Sequence, residues 1–189
     1  MRYPILHAVL ALSLLTACSG ESSQLYSVPP AVVSGEKMRI SYRSVELVEV
    51  SLPAYAASEE IHRRGNDGAL TAQGGLLWSD APARAVTLEL ARYLAQMTSA
   101  RVAPEPWPFA DRAAVRVDVR VEEMFADGDM LFRMSGQYFV APDAGGRDRS
   151  GLFSLSAPIA PGGGVAAVAA ARGEVVRDLA RDIAKDGLR

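Results

Sequence analysis

The sequence predicts an α/β fold, a three-layer sandwich in which a mixed β-sheet with an antiparallel hairpin carries two main helices. Two patterns support this prediction. Apolar and polar residues alternate over 115–140, which is the period of half-buried strands. Apolar residues recur at steps of three and four over 82–97 and over 165–185, which is the period of amphipathic helices.

The region before the first of these helices predicts strands and loops. Residues 25–28 begin a strand that a Pro-Pro pair ends. Residues 39–52 are apolar and β-branched at many positions, and this predicts one long strand up to the next proline. Residues 56–76 mix glycine with polar side chains, so we expect a loop with one or two short strands near Ile61 and Leu70.

The first main helix has both a start signal and an apolar face. Asp80 is the candidate N-cap, and Pro82 lies in the first turn, where its missing N–H has no cost. Four apolar residues then fall on one face. They are Val86, Leu90, Leu94 and Met97.

The second half of the domain predicts a hairpin, a strand and a helix. Valines at every second position from Val115 alternate with charged residues, Asp127-Gly128 forms a turn, and residues 130–140 alternate back. A short strand over 152–157 and a glycine-rich loop precede the last helix. Its predicted inward face comprises Val168, Val175, Leu179 and Ile183.

The N-terminus predicts a cleaved secretory signal. Arg2 precedes an apolar run that is shorter than the ~20 residues a membrane-spanning helix needs. We therefore expect three parts: a signal peptide (1–17), a lipidated N-terminus with a flexible tether (18–24), and a single domain (25–189). A lone cysteine, Cys18, excludes an internal disulfide framework.

The position of this cysteine favours lipidation over a free thiol. Leu15-Thr16-Ala17-Cys18 resembles the lipobox of bacterial lipoproteins, in which cleavage between Ala17 and Cys18 leaves an N-acylated, S-diacylglyceryl cysteine. Each buried CH₂ contributes about 0.8 kcal/mol, and stable anchoring needs more than one chain. Ser19 follows, rather than the Asp of an inner-membrane retention signal, so we expect the outer membrane, with the domain facing the periplasm.

The sequence offers little catalytic chemistry. The formal net charge of −2 comes with no basic patch for nucleic acid. Once the signal is removed, His62 is the only histidine, and no Gly-x-Ser-x-Gly motif accompanies it. Glu59-x-x-His62 has the spacing of a metal-binding helix, but Arg63 and Arg64 beside it would repel the ion. We expect no catalytic residues, no metal and no cofactor.

Two further motifs are interpreted structurally. Glu122 and Glu123 are neighbours on a predicted strand, so they are expected on opposite faces and not in one acid–base site. Gly162-x-Gly164-x-x-Ala167 matches a loose dinucleotide-binding pattern. No strand follows it, so a flexible entry to the last helix is the favoured interpretation.

Several residues are candidates for a protein interface. Trp78 and Trp107 lie at element boundaries, where each either packs under a loop or anchors a partner. The last helix carries a cationic and an anionic stripe, which either form a solvated face or pair with another subunit. The stripes comprise Arg177, Arg181 and Lys185, and Asp178, Asp182 and Asp186.

A series of short motifs runs in order through nearly the whole mature chain. After the lipobox come Tyr26-Ser-Val28, Val50-Ser-Leu52-Pro53-Ala-Tyr55, Trp78 shortly before Ala81-Pro82, Pro106-Trp107, and an Ala-rich helix ending in Asp182-Ile183-Ala184. Together they resemble the PqiC-type auxiliary lipoproteins of ABC-type transport. The sequence departs from the usual Tyr-x-Leu at Val28 and has Asp80 near the usual Glu.

The resemblance implies a three-layer α/β lipoprotein at the outer membrane, without catalytic residues or ATPase activity. Its implied partner is a periplasmic MCE-domain protein that carries phospholipid between the membranes, and it is expected to form a homo-oligomeric ring. Contact with phospholipid and an apolar lumen are compatible with this role. The alternatives are an outer-membrane assembly lipoprotein, serving lipopolysaccharide or β-barrel insertion, and a periplasmic hydrolase that uses His62.

Overall fold

The computed structural model describes residues 22–189, so the predicted signal peptide and Cys18 lie outside the described residues. Within these residues, eight strands and three helices follow one another, and a π-helical segment (Ile183–Gly187) directly continues the last helix. The strands are β1 (Gln24–Tyr26), β2 (Ser44–Leu47), β3 (Glu60–Arg64), β4 (Leu70–Trp78), β5 (Arg101–Pro104), β6 (Val115–Ala126), β7 (Leu131–Pro142) and β8 (Arg149–Pro158). The helices are α1 (Ala54–Ala57), α2 (Pro82–Met97) and α3 (Gly164–Asp182). The predicted mixed α/β class is confirmed.

All eight strands form one mixed sheet around β6. On one edge of β6, β7 and then β8 add in antiparallel register, which confirms the predicted hairpin and the strand after it. On the other edge, β2 pairs in parallel with the start of β6, and β3 pairs in parallel with its end. Beyond them lie β5 next to β2, and β4 and then β1 next to β3.

The core lies between one face of the sheet and the two long helices, which also pack on each other. The alternating valines of β6 point into it, and Val115, Val117 and Val119 are fully buried. Full burial of such a side chain is worth about 1.5–3 kcal/mol. The opposite face of β6 carries charged side chains such as Arg120, which pairs with Asp118 at 2.9 Å.

The long strand predicted over 39–52 is wrong, because only β2 forms a regular strand there. Beyond β2 the chain follows β6 irregularly, with an isolated bridge between Ser51 and Arg120. The Val50 N–H donates to the Thr87 hydroxyl on α2, at 2.9 Å, instead of to a neighbouring strand. A hydrogen bond to the helix therefore takes the place of an inter-strand hydrogen bond at Val50.

The start of α2 also differs from the prediction, since Ala81 and not Asp80 is the N-cap residue. One Asp80 oxygen accepts the Ala81 N–H at 2.9 Å, and the other pairs with Arg84. The Asp80 carboxylate therefore stabilises the first turn of α2 from the position before the N-cap residue. Strand β3 is the short strand predicted near Ile61, and a strand also begins at Leu70 as predicted, but β4 is nine residues long and not short. Helix α1 and the four-residue β5 are unpredicted.

A β-bulge corrects the expectation for the two glutamates of β6. The pairing register shifts between Val121 and Glu123, so Glu122 and Glu123 are both exposed. The extra residue of a bulge interrupts the alternation of faces. Gly136 lies opposite the bulge, and a Cβ there would be 2.1 Å from the Arg120 carbonyl oxygen. Only glycine fits this close approach of the two strands.

Candidate functional site

Strand β6 defines two ends of the molecule. Its 12 residues span roughly 40 Å at ~3.3 Å per residue. We call the end where β6 finishes the cleft end, and the end where it begins the loop end. Strand β1 runs opposite to β6, because it is parallel to β4, β4 is antiparallel to β3, and β3 is parallel to β6. The described chain therefore enters the domain at the cleft end.

The cleft end holds a cavity of about 310 Å³, which we call the cleft. It lies between β3, the β6–β7 turn and the first turns of α3. Its apolar lining consists of Ile61, Ala126, Met130, Ile159, Ala160, Val165 and Val168. Three polar side chains, those of His62, Arg63 and Gln73, also line the cleft, together with Gly162 and Gly164. The arrangement suits an apolar ligand with a polar group at one end.

The two adjacent arginines of β3 have different surroundings. Asp127 accepts from Arg64 at 2.5 Å and from Arg133 at 2.8 Å. The hydrogen bond from Arg64 is the main reason that the pKa of Asp127 falls to about 2. The Arg63 guanidinium has no ion-pair partner within residues 22–189, and it donates a hydrogen bond to the Met130 sulfur, at 3.8 Å. The cleft therefore has one uncompensated cation at its surface.

The single histidine of the cleft has a structural setting. The His62 ring packs edge-on against Tyr55, with centroids 5.7 Å apart, and its Nδ1 lies 3.0 Å from the Glu60 carbonyl oxygen. Glu59 immediately precedes a strand, so Glu59 and His62 do not share a helix face, in agreement with the rejection of a metal-binding pair. In the described part of the chain, no three His, Cys, Asp or Glu side chains are grouped to hold a metal ion.

The loop end presents an aromatic cluster over 105–114. Trp107 is half-buried, donates its indole N–H to the Asp111 carbonyl oxygen at 2.6 Å, and packs edge-to-face with Phe109, with the ring centroids 4.9 Å apart. Arg101 lies over the Phe109 ring, 4.5 Å from its centroid, and pairs with Asp111, whose pKa this hydrogen bond lowers. Phe109 remains 41% exposed. A groove of about 450 Å³ lies beside the cluster, and its lining includes Trp107 and Arg112.

Trp78 has the opposite environment, because only 5% of it is exposed. Its ring packs with Ile61, and the Arg172 guanidinium lies 4.7 Å from the ring centroid. Arg172 is itself buried and donates to Glu89 at 3.1 Å, while burial raises the pKa of Glu89. Of the two tryptophans, only Trp107 is accessible enough to contact a partner.

The predicted stripes on α3 pair within the helix. Asp178 accepts from Arg177 at 2.9 Å and from Arg181 at 2.5 Å, so one carboxylate is shared by two guanidinium groups of the same helix. Burial, followed by the nearby Asp186, raises the pKa of Asp182. Lys185 is exposed. Their role in an interface stays a prediction.

Solved structures share this fold. A crystal structure of an uncharacterised protein matches with a TM-score of 0.70 and 16% identity, covering 88% of this chain and 99% of that one. A Xanthomonas campestris protein assigned to the family DUF330 matches with a TM-score of 0.71 and 17% identity, over 88% and 95%. The PelC dodecamer from Paraburkholderia phytofirmans is a weaker match, with a TM-score of 0.41 and 12% identity, over 76% and 92%.

The comparison of sequences identifies the family. No curated protein matches the chain. Among residues 22–189, no helix combines the length and the apolar character that crossing a membrane requires. The family model for the ABC-type transport auxiliary lipoprotein component matches residues 24–184, which include every strand and long helix. The chain therefore belongs to the ABC-type transport auxiliary lipoprotein family, whose members serve transport systems as lipoprotein components.

Proposed function

We propose that this protein is anchored at the outer membrane through Cys18 and docks an MCE-domain protein of an intermembrane phospholipid transport system. The observation that carries the proposal is the polarity of the domain. The chain enters at the cleft end, and the accessible aromatic cluster lies at the opposite end of β6. A lipid anchor before β1 would turn the cluster away from the membrane, towards a partner in the periplasm.

The tether limits the distance between the domain and the membrane. Six peptide steps separate Cys18 from Gln24, where β1 begins, and they reach about 20 Å when fully extended. The intervening residues are small and polar, as in flexible linkers. The cleft end would thus remain close to the lipid headgroups, with the loop end roughly 40 Å further out.

The loop end has the composition of a binding hot spot. Tryptophan and arginine are enriched among the residues that dominate binding energy in protein interfaces. Trp107, Phe109 and Arg101 form such a group, and its internal contacts hold the exposed ring in place. We therefore assign the partner-docking surface to this cluster.

The edge of the sheet offers a surface for a homo-oligomeric ring. Strand β8 pairs only with β7, so its other edge carries backbone groups without strand partners among the described residues. Long open edges are templates for pairing with another chain. Leu152 lies on this strand and is 80% exposed. We assign the contact between copies to β8.

Site-specific photocrosslinking in cells tests the docking surface. A photoreactive residue at Phe109 is expected to crosslink to the MCE-domain protein, and one at Leu152 to a second copy of this chain. Val32 is 78% exposed and belongs to neither surface, so a probe there is the control. Capture of a β-barrel or lipopolysaccharide assembly protein at Phe109 would overturn the proposal, as would equal capture of the MCE protein from Val32.

A further inference from the structure

We propose that the cleft holds one acyl chain of an anionic membrane phospholipid, with the lipid phosphate bound by Arg63. This inference deepens the proposed function, on which it rests for the position of the cleft near the membrane. It names the lipid contacted and the residues that contact it.

The cavity is matched to an apolar chain. Its volume of about 310 Å³ is at the lower end of the range for small-molecule sites, ~300–1,000 Å³. Seven of its lining side chains are aliphatic or thioether groups, and they come from β3, β6, the β6–β7 turn and the β8–α3 region. Met130 contributes an unbranched, polarizable side chain that adapts to a flexible ligand.

The charge at the cleft specifies the headgroup. Arg63 is exposed and unpaired among residues 22–189, whereas Arg64 on the same strand is neutralised by Asp127. A guanidinium group binds phosphate through a planar fork of donors. His62 and Gln73 add polar groups to the same lining. A single cation beside an apolar cavity is complementary to an amphiphile whose head is anionic.

The position of the cleft makes a membrane lipid accessible to it. Gly75 lies on β4, two residues from Gln73 of the cleft, and a Cβ on it would be 3.9 Å from the Ser22 carbonyl oxygen. The chain thus passes beside the cleft as it comes from the anchor. Met130 lines the cavity and is 36% exposed, so apolar surface continues from the cavity to the outside.

Photoaffinity labelling with a defined lipid tests this assignment. The full mature, lipidated chain is reconstituted in phosphatidylcholine vesicles that contain phosphatidylglycerol with a diazirine near the end of one acyl chain. After irradiation, mass spectrometry maps the labelled peptides. We expect at least fivefold more label on peptides covering 61–63, 126–130 and 159–168 than on those covering 105–114.

Two pairs of variants separate cavity binding from chance contact. Val165→Trp fills the cavity and is expected to reduce cleft labelling at least fivefold, whereas Ala166→Trp, on an exposed neighbouring position, leaves it unchanged. Arg63→Glu is expected to abolish the preference for phosphatidylglycerol over an equally labelled phosphatidylcholine. Arg147→Glu makes the same charge change at an exposed position of the β7–β8 turn and should preserve it. Circular dichroism verifies the fold of each variant.

Three results would overturn the inference. One is labelling spread evenly over the domain, and another is cleft labelling that Val165→Trp does not reduce in a folded protein. The third is an absence of cleft labelling by added lipid, as expected if the acyl chains on Cys18 fill the cavity. The vesicles contain no transport partner, so these results are independent of whether Phe109 docks an MCE-domain protein.

Discussion

The cleft end and the loop end are joined by the same β6–β7 hairpin, yet they use arginine and apolar surface in opposite ways. At the cleft end, the apolar residues line a hollow, and Arg63 beside it has no acidic partner in the described residues. At the loop end, the aromatic rings project outward, and Arg101 is both paired with Asp111 and placed over Phe109. A hollow with a free charge suits a small anionic ligand, whereas a projecting, neutralised aromatic group suits a protein surface.

The largest expected effect comes from removing the proposed lipid anchor on Cys18, which would hold the cleft end near the membrane and leave the loop end facing the periplasm. Cys18→Ser eliminates the acylated thiol, and we expect the variant to incorporate no labelled fatty acid and to lose most of its outer-membrane fraction. Metabolic labelling and membrane fractionation measure both. Ser19→Ala leaves the acylated cysteine in place and serves as the control. Continued labelling of the Cys18→Ser protein would contradict the anchor assignment.

Shortening the projecting ring should affect the loop end alone. Phe109→Ala is expected to weaken capture of the MCE-domain protein about tenfold or more, since a hot-spot ring contributes about 2 kcal/mol. Capture by affinity purification from detergent-solubilised membranes measures the change. Leu70→Ala alters a residue of similar exposure at the cleft end and should leave capture unchanged. Equal losses in both variants would indicate that the two ends do not have separate roles.

A change within the β6–β7 hairpin should lower the stability of the whole domain, and therefore of both ends. Gly136→Ala places a Cβ 2.1 Å from the Arg120 carbonyl oxygen, so the bulge must shift. We expect the free energy of unfolding to fall by about 2 kcal/mol, as is typical when a packed region is overfilled. Urea denaturation measures it. Gly74→Ala has open space around the added carbon and is the matched control. An unchanged midpoint for Gly136→Ala would show that the bulge is not constrained.

Sequence periodicity predicted the hairpin, both long helices and the inward valines, because burial of one face produces a regular pattern. Features that depend on contacts distant in sequence were not predicted. The hydrogen bond from the Val50 N–H to the Thr87 hydroxyl lies where the sequence predicts that the strand after residue 39 continues. The bulge at Glu122 interrupts the alternation of β6 side chains between the two faces of the sheet. The cleft combines residues from 61 to 168, and no local motif connects them. The Trp-Pro-Phe sequence at 107–109 was the one local signal for the loop-end cluster.

The smallest expected effect concerns the ion pairs of Asp127 at the cleft end, which include Arg64 and Arg133 but not Arg63. Hydrogen bonding from Arg64 lowers the pKa of Asp127 to about 2, below the ordinary ~3.9. Its stabilising contribution is therefore complete above about pH 4 and is lost as the pH falls towards 2. We expect Asp127→Asn to cost about 1 kcal/mol at pH 7, because solvent screens the partly exposed arginines, and to cost little near pH 2.

Urea denaturation at a series of pH values between 7 and 2 measures how the difference in stability between Asp127→Asn and the wild type shrinks as the pH falls. Asp148→Asn, at an exposed position, is the control and should parallel the wild type throughout. Asp127→Asn also sharpens the comparison of the two ends, because removing the Asp127 charge leaves Arg64 and Arg133 without this partner and makes the cleft end one charge more positive. Added cationic charge at the cleft end should increase labelling by anionic lipid and leave capture through Phe109 unchanged. Reduced labelling in a folded Asp127→Asn protein would contradict a role for cationic charge in binding the lipid.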